Sequence, residues 1–231
     1  YGLVGSEMCI RDRVIGKNAF VQVFESTRGM RVGDEAEFEG HMLEVTLGPG
    51  MLSRNYDGLQ NDLDKMEGVF LRRGEYTFPL DNDKLWDFKP LAKVGDKVAA
   101  GGWLGEVDEN FQPHKIMVPF TFKGEYTVKS LKEAGQYTIG EVIAVLTDET
   151  GKDVEVTMIQ RWPVKRAITC YKEKPRPYKL LETGVRTIDT VNPIVEGGTG
   201  FIPGPFGTGK TVLQHAISKQ AEADIVIIAA C

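Results

Sequence analysis

Cysteine and histidine are both scarce in this sequence, which leaves few ways to build a covalent framework or a metal centre. The three cysteines, Cys9, Cys170 and Cys231, are odd in number and far apart. No C-x-x-C pair or Cys/His cluster is present, so the sequence predicts neither a disulfide framework nor a zinc site, and it fits a reducing compartment. The histidines also stand apart and receive no functional assignment: His41, His114 and His215.

Long apolar runs and an excess of positive charge are missing as well. The longest fully apolar run, IVIIAAC from Ile225, is far shorter than the roughly 20 residues that span a bilayer. The start shows no charged segment followed by an apolar one, so no signal peptide is predicted. The net charge of -5 argues against a nucleic-acid partner, which normally meets a basic surface. With 42% hydrophobic and 26% charged residues, the chain is expected to be globular and to reach any membrane through partner chains.

Changes in pattern divide the chain into four segments. Residues 1–13, YGLVGSEMCIRDR, lack an initial Met and any sustained period, and we interpret them as a non-native tail. Residues 14–67 combine strand-like stretches such as AFVQVFEST and HMLEVTL with a linker that leads into a short helix, which suggests part of a small β-barrel. Residues 68–160 predict a second β-rich unit, with strands separated by Gly and Pro turns.

The last segment, residues 161–231, changes to a strand, loop, helix, strand pattern after an extended proline-containing connector. TGFIPG predicts a short strand that enters a glycine loop. The following stretch, KTVLQHAISKQAEA, predicts a helix with Leu213, Ala216, Ile217 and Ala221 on one face. DIVIIAAC then predicts a parallel strand that is buried on both faces. Together these form the start of a βαβ unit.

The glycine loop carries the clearest chemical signal in the chain. Gly204-Pro205-Phe206-Gly207-Thr208-Gly209-Lys210-Thr211 fits the P-loop pattern G-x-x-x-x-G-K-[ST]. The glycines let backbone N–H groups point inward, and the helix N-terminus behind them favours an anion. Lys210 is expected to reach the β- and γ-phosphates of ATP or ADP, and the Thr211 hydroxyl to bind Mg²⁺.

The loop and several other stretches resemble the catalytic A subunit of V/A-type rotary ATPases, whose phosphate loop typically reads GPFG-[ST]-GKT. Further landmarks occur in the same order: LGPGMLSRNYDGLQ, GGWLGEV, HKIMVP, MIQRWPV and TGVRTIDTVNPIVEGGTGFIPG. The resemblance covers residues 14–231. Residues 68–160 resemble the barrel-sandwich "bulge" insertion of that family, and residues 161–231 the start of its RecA-like nucleotide-binding domain.

The resemblance implies a function and a set of partners. The implied protein is an ATP hydrolase or synthase whose subunit couples ATP chemistry to H⁺ or Na⁺ transport, with Lys210 as its catalytic residue here. It implies B subunits in an A3B3 hexamer, central and peripheral stalk subunits, and a membrane rotor reached through the stalk. The implied location is cytoplasmic, peripheral on the cytoplasmic face of a membrane, with no nucleic acid bound.

Two features differ from the family pattern. Val185 follows Thr183-Gly184 where glutamine is frequent. In the family, a Gly-Glu-Arg segment with the glutamate that positions the attacking water follows shortly after the phosphate loop, and here it would come just past Cys231. We therefore expect the 231 residues to be the N-terminal part of such a subunit, inactive alone and with its last apolar strand exposed.

Other readings remain open. One is a different RecA-like hexameric P-loop ATPase. Another is a non-catalytic carrier or structural protein, because the stretch before HKIMVP resembles biotinyl and lipoyl carrier domains, in which Lys115 would sit at a hairpin tip. Asp57 is expected to serve its own turn. Two remaining interpretations concern charged residues. Arg161-Trp162-Pro163 with Lys165-Arg166 is expected to be a connector or subunit contact, and Arg186 and Asp189 could form an intersubunit or a local ion pair.

Overall fold

The computed structural model describes residues 9–23, 27–35, 43–68, 70, 75–171 and 173–230. The chain divides into two compact units, Tyr1–Tyr171 and Lys172–Cys231, which are described separately below. The first eight residues of the predicted tail lie outside the described residues, as do His41 and Cys231.

Strands dominate the first unit. In chain order they are β1 (Cys9–Ile15), β2 (Asn18–Val23), β3 (Glu44–Leu47), β4 (Trp86–Pro90), β5 (Lys97–Ala99), β6 (Trp103–Glu109), β7 (Gln112–Met117), β8 (Glu125–Leu131), β9 (Gly135–Tyr137), β10 (Ala144–Asp148), β11 (Asp153–Val156) and β12 (Gln160–Pro163). A 3₁₀ turn, Leu63–Lys65, lies where the linker was expected to enter a short helix. The described residues contain no closed barrel.

Two small sheets flank the middle of this unit. Strands β1 and β2 form an antiparallel hairpin around Gly16 and Lys17, so the boundary expected at Val14 falls inside a strand. Strand β3 pairs antiparallel with β12, which joins the segment before the β-rich middle to the segment after it.

Two four-stranded antiparallel sheets form that β-rich middle. Their strand orders are β7-β6-β4-β9 and β11-β10-β8-β5. Each has a buried cluster of apolar side chains, and in β4 and β10 the buried residues alternate with more exposed ones, as expected for strands with one inward face. The first cluster is Leu80, Trp86, Phe88, Val107, Ile116, Ile139, Ile143 and Met158. The second is Leu104, Val118, Val128, Ala144, Leu146 and Val156.

The backbone of Gly105, in β6, lies directly against the Phe88 ring of the neighbouring strand β4. A Cβ atom there would lie 2.2 Å from Cε2 of Phe88 and 2.8 Å from the carbonyl oxygen of Lys89. Because the Phe88 ring is fully buried, it has little room to move. We expect Gly105→Ala to lower the free energy of unfolding by about 1–3 kcal/mol, measured by urea denaturation. The matched change Gly140→Ala meets no atom within 4 Å, and an equal loss in both variants would contradict the packing argument.

The second unit contains the hairpin and helices that carry the glycine loop. Strands β13 (Leu180–Leu181) and β14 (Ile194–Val195) pair antiparallel, with helix α1 (Arg186–Val191) between them. Helix α2 (Lys210–Gln220) follows the loop. The helix is confirmed, and the predicted apolar positions on α2 are half-buried: Leu213, Ala216, Ile217 and Ala221.

The two strands predicted on either side of this helix are wrong. Residues 199–204 and 225–230 belong to no strand, and Ile225 to Ile228 are between 47% and 89% exposed. A parallel strand is stabilised by hydrogen bonds to a neighbour, and within the described part of this unit neither segment is paired. The side chains of this segment are exposed, although the segment forms no strand.

Candidate phosphate-binding site

The glycine loop runs directly into the N-terminus of helix α2. Gly209 is the residue before the helix and adopts a left-handed φ of 82°, and Gly207 has a φ of 83°. A side chain is strained in this backbone conformation, so glycine is the residue that fits both positions. The first backbone N–H groups of α2 have no partners inside the helix, which makes this end suited to an anion.

A hydroxyl group closes the loop on itself. Thr208 Oγ1 donates to the carbonyl oxygen of Pro205 at 2.8 Å. Gly204 lies against this contact, since a Cβ atom there would be only 2.6 Å from Thr208 Oγ1. The first glycine of the pattern is therefore required by close approach rather than by its φ. The loop is a tight turn with its ends held together.

The Lys210 side chain crosses the loop. Its ammonium group donates to the carbonyl oxygen of Gly204 and lies 3.4 Å from that of Pro205. Lys210 is half-buried, whereas its neighbours in the loop are exposed. The positive charge is thus held inside the curve of the loop, where the phosphates of a nucleotide were predicted to lie.

Of the eight predicted residues, 204–209 form the loop, and Lys210 and Thr211 are the first two residues of α2. Thr211 occupies the second position of α2 and is exposed, so its hydroxyl oxygen is accessible to a cation. Phe206 is fully exposed at the loop tip. Among the described residues, no group of three or more His, Cys, Asp or Glu side chains could hold a metal ion.

Lys115 does not lie at a hairpin tip, which is the position that the carrier alternative requires. The turn between β6 and β7 consists of Asn110 and Phe111, and Lys115 lies within β7, opposite Glu106. Its ammonium group forms an ion pair with Glu106 and lies 5.0 Å from the ring centroid of Trp103. A lysine held against a carboxylate in mid-strand does not offer the projecting amine of a carrier domain.

The other predicted side chains have local structural roles. Asp57 accepts hydrogen bonds from the backbone N–H of Leu59 at 2.9 Å and of Asn61 at 2.7 Å, which confirms its place in a turn. No ion pair joins Arg186 and Asp189 within the described part of the chain. Asp189 instead accepts hydrogen bonds from Thr183.

The sequence analysis assigned no role to His114, and it missed the arrangement around this residue. Nδ1 of His114 lies 2.7 Å from Oε2 of the buried Glu109. The other oxygen of Glu109 accepts from the backbone N–H of Gly50 at 2.7 Å and of Leu52 at 2.9 Å. We call these four residues the Glu109 clamp. It fastens the loop at residues 50–52 to the β6–β7 hairpin.

The electrostatics of the clamp follow from its hydrogen bonds. Burial by itself would raise the pKa of Glu109, but the contacts from His114 and from the N–H groups of Leu52 and Gly50 outweigh burial and lower this pKa. Glu109 is therefore ionised at neutral pH. One sequence signal could have indicated the pair of Glu109 and His114: a carboxylate lies five residues before a histidine, on the other side of a tight hairpin turn.

Comparison with known proteins places the loop in a wider family. A family model described as the ATP synthase alpha/beta subunit barrel-sandwich domain matches residues 77–165. A second, the nucleotide-binding domain of the ATP synthase alpha/beta family, matches residues 184–231, which include the glycine loop. No helix among the described residues has both the length and the apolar character needed to cross a membrane.

Curated relatives agree with these two matches. The chain is 51% identical over 222 residues to the V-type ATP synthase alpha chain of Treponema denticola and 49% identical to V-type ATP synthase alpha chain 1 of Treponema pallidum, over 95% of its own length in both cases. The alpha chain of Protochlamydia amoebophila is 46% identical over 221 residues. The chain spans only 38% of the length of the first two relatives. With a barrel-sandwich domain and a nucleotide-binding domain of one family in a single polypeptide, the protein belongs to the ATP synthase alpha/beta family.

Proposed function

We propose that residues 204–211 bind the phosphates of ATP or ADP in a catalytic subunit of a V-type rotary ATPase. The observation that carries this proposal is the closed glycine loop at the start of an eleven-residue helix, with Lys210 reaching back across the loop. The match of the nucleotide-binding family model over this region supports it. So do the relatives named V-type ATP synthase alpha chains.

The loop supplies two kinds of attraction for phosphate. Backbone N–H groups at Gly207, Gly209 and the first turn of α2 offer hydrogen bonds, and the positive end of the helix adds a favourable field. Lys210 offers a full positive charge. Its present contacts with Gly204 and Pro205 are to neutral carbonyl oxygens, and charged phosphate oxygens are stronger acceptors. We infer that the ammonium group exchanges these carbonyls for the β- and γ-phosphates.

The same residues define a catalytic role. In phosphoryl transfer, negative charge on the γ-phosphate oxygens must be stabilised as the bond to the leaving group breaks. We propose Lys210 for this task, and Thr211 as the protein oxygen that binds Mg²⁺, with phosphate oxygens as further ligands. When bound, Mg²⁺ would neutralise negative charge on the phosphates. The exposed hydroxyl of Thr211, next to Lys210, fits this assignment.

The wider assembly is part of the same proposal. We propose that the subunit works with B subunits in an A3B3 hexamer, is connected by central and peripheral stalks to a membrane rotor, and couples ATP hydrolysis or synthesis to movement of H⁺ or Na⁺. Its place is then the cytoplasmic face of the membrane. The names of the relatives support a multi-subunit V-type enzyme, and the family resemblance supports the roles proposed for its subunits.

Binding of ATP with and without magnesium tests the site. In the full 231-residue chain, Mg²⁺ is expected to tighten ATP binding by roughly tenfold, which is comparable to one contact with a charged group. The affinity of a fluorescent ATP analogue is measured in Mg²⁺ and in EDTA. Thr211→Ala is expected to lose most of this magnesium effect while it still binds the analogue.

Thr190→Ala is the matched control, because it removes a threonine hydroxyl from the other helix of the same unit. It is expected to keep the full magnesium effect. If Thr211→Ala responded to Mg²⁺ like the original chain, the assignment of Thr211 would be wrong. If the original chain bound the analogue no better than adenosine, the phosphate site itself would be refuted.

A further inference from the structure

A short segment of the second unit, Leu180–Val185, contacts the C-terminal end of helix α2 and pairs with strand β14, and we call it the strap. Its turn is built around Thr183, whose side chain is fully buried. Asp189 Oδ1 accepts from the Thr183 backbone N–H at 3.0 Å and from the Thr183 hydroxyl at 2.6 Å. The backbone N–H of Val185 donates to the same hydroxyl at 3.2 Å. One carboxylate oxygen thus fixes the turn.

The turn of the strap is docked on the far end of helix α2. Gly184 has a left-handed φ of 73°, and a Cβ atom there would lie 2.8 Å from Cβ of Gln220, the last residue of the helix. The backbone N–H of Glu222 donates to the carbonyl oxygen of Glu182 at 3.0 Å. The direction of α2 is therefore set where the helix meets the strap.

Strand β14 links the strap to the segment that enters the loop. Strand β13 of the strap pairs with β14, and Gly200 lies against β14, since a Cβ atom there would be 3.1 Å from Cδ1 of Ile194. Only three residues separate Gly200 from Gly204, the first glycine of the loop. The strap thus contacts the C-terminal end of the helix after the loop, and it is linked through β14 to the chain before the loop.

We propose that Asp189 is a positioning residue for nucleotide binding, which acts by fixing the strap and thereby the N-terminus of α2. This inference rests on the proposed function of the loop. The Thr183 hydroxyl, followed by the backbone N–H groups of Thr183 and Gly184, lowers the pKa of Asp189. The carboxylate is therefore charged under neutral conditions and is a strong acceptor for the turn.

Loss of this carboxylate should weaken phosphate binding from a distance. A displacement of about 1 Å at a binding group can reduce function by up to about a hundredfold. We expect Asp189→Ala in the full chain to weaken binding of a fluorescent ATP analogue with Mg²⁺ by about ten- to a hundredfold. Thr183→Val, which keeps the shape and removes the hydroxyl, should do the same. The double variant should be no weaker than either single variant, because both remove one interaction.

Two controls separate positioning from general damage. Asp224→Ala removes an exposed carboxylate of the same unit and is expected to bind normally. Thr183→Ser restores the hydroxyl donor and is expected to recover affinity to within about threefold of the original chain. Helix content by circular dichroism should stay unchanged in Thr183→Val, so that the loss is one of affinity rather than of folding.

The outcomes separate this inference from the function on which it rests. If Asp189→Ala and Thr183→Val bind normally while Lys210→Ala does not, the positioning role is wrong and the phosphate site stands. If Lys210→Ala also binds normally, the proposed function fails. If Thr183→Ser is as weak as Thr183→Val, or if weak binding comes with loss of helix, the role of the Thr183–Asp189 hydrogen bond is overturned.

Discussion

Replacement of Lys210 with alanine is expected to weaken binding of ATP with Mg²⁺ by roughly a hundredfold in the full chain. The ammonium group is the positive charge that the structure holds within the curve of the loop. A hydrogen bond to a charged partner contributes about 1.5–3 kcal/mol, and a hundredfold change in affinity corresponds to about 2.7 kcal/mol, so the loss of one such contact accounts for a factor of this size. Equilibrium titration with a fluorescent ATP analogue measures the change.

Lys219→Ala is the matched control for this experiment. Lys219 belongs to the same helix, is exposed, and lies in the last turn, away from the loop. The substitution changes the net charge by the same amount as Lys210→Ala and should leave affinity unchanged. Equal weakening in both variants would mean that general charge attracts the nucleotide, and it would contradict the role given to Lys210.

Replacement of Glu109 with alanine is expected to lower the free energy of unfolding by roughly 2–4 kcal/mol. The change would leave the backbone N–H groups of Gly50 and Leu52 without an acceptor and His114 without its partner. A buried donor that loses its partner costs about 1–3 kcal/mol, and two half-buried donors lose theirs here. Urea denaturation followed by tryptophan fluorescence measures it, since Trp86 and Trp103 lie in the same unit.

The pH dependence gives an independent check on the Glu109 clamp. Hydrogen bonds lower the pKa of Glu109 in the folded protein. Its contribution is therefore present above the ordinary glutamate pKa of about 4.3 and is lost as the pH falls through the lower folded value. Glu109→Gln keeps an acceptor without the charge, so it should be less destabilised than Glu109→Ala and should lose less stability in acid than the original chain. Parallel pH profiles for the original and Gln chains would contradict the clamp.

The geometry of the glycine loop was predictable because it is local. Each of the eight residues lies next to the others in the chain, and the glycine conformations at Gly207 and Gly209 follow from the turn that must precede a helix. The half-buried face of α2 followed from its helical period in the same way. Strands of the β-rich middle were predictable from residues that alternate between two faces.

The features that sequence reasoning missed depend on distant contacts. Glu109 accepts hydrogen bonds from Leu52 and Gly50, which lie 57 and 59 positions before it in the chain. No local sequence pattern shows that these two segments are in contact. The carrier alternative for Lys115 could not be excluded from the position of the turn, because the turn falls at Asn110 and Phe111, both with positive φ, where glycine would have marked it. A local ion pair with Arg186 was one of the two alternatives for Asp189, but the buried Thr183 offers it two donors.

The flanking strands show a different limit. Ile225 and its neighbours have the apolar, β-branched composition of a buried strand, yet they are exposed and unpaired within the described part of the second unit. Apolar, β-branched composition favours a strand only where neighbouring strands are present to pair with it. Formation of the strand needs the hydrogen-bonded neighbour itself.

The most direct test of the central claim is a structure of the full chain with a non-hydrolysable ATP analogue and Mg²⁺. The account predicts phosphate oxygens within about 3 Å of the backbone nitrogen atoms at residues 207–211, with the Lys210 ammonium group moved from the Gly204 carbonyl onto the β- and γ-phosphates. Triphosphate bound elsewhere, with Lys210 still on the Gly204 carbonyl, would contradict it.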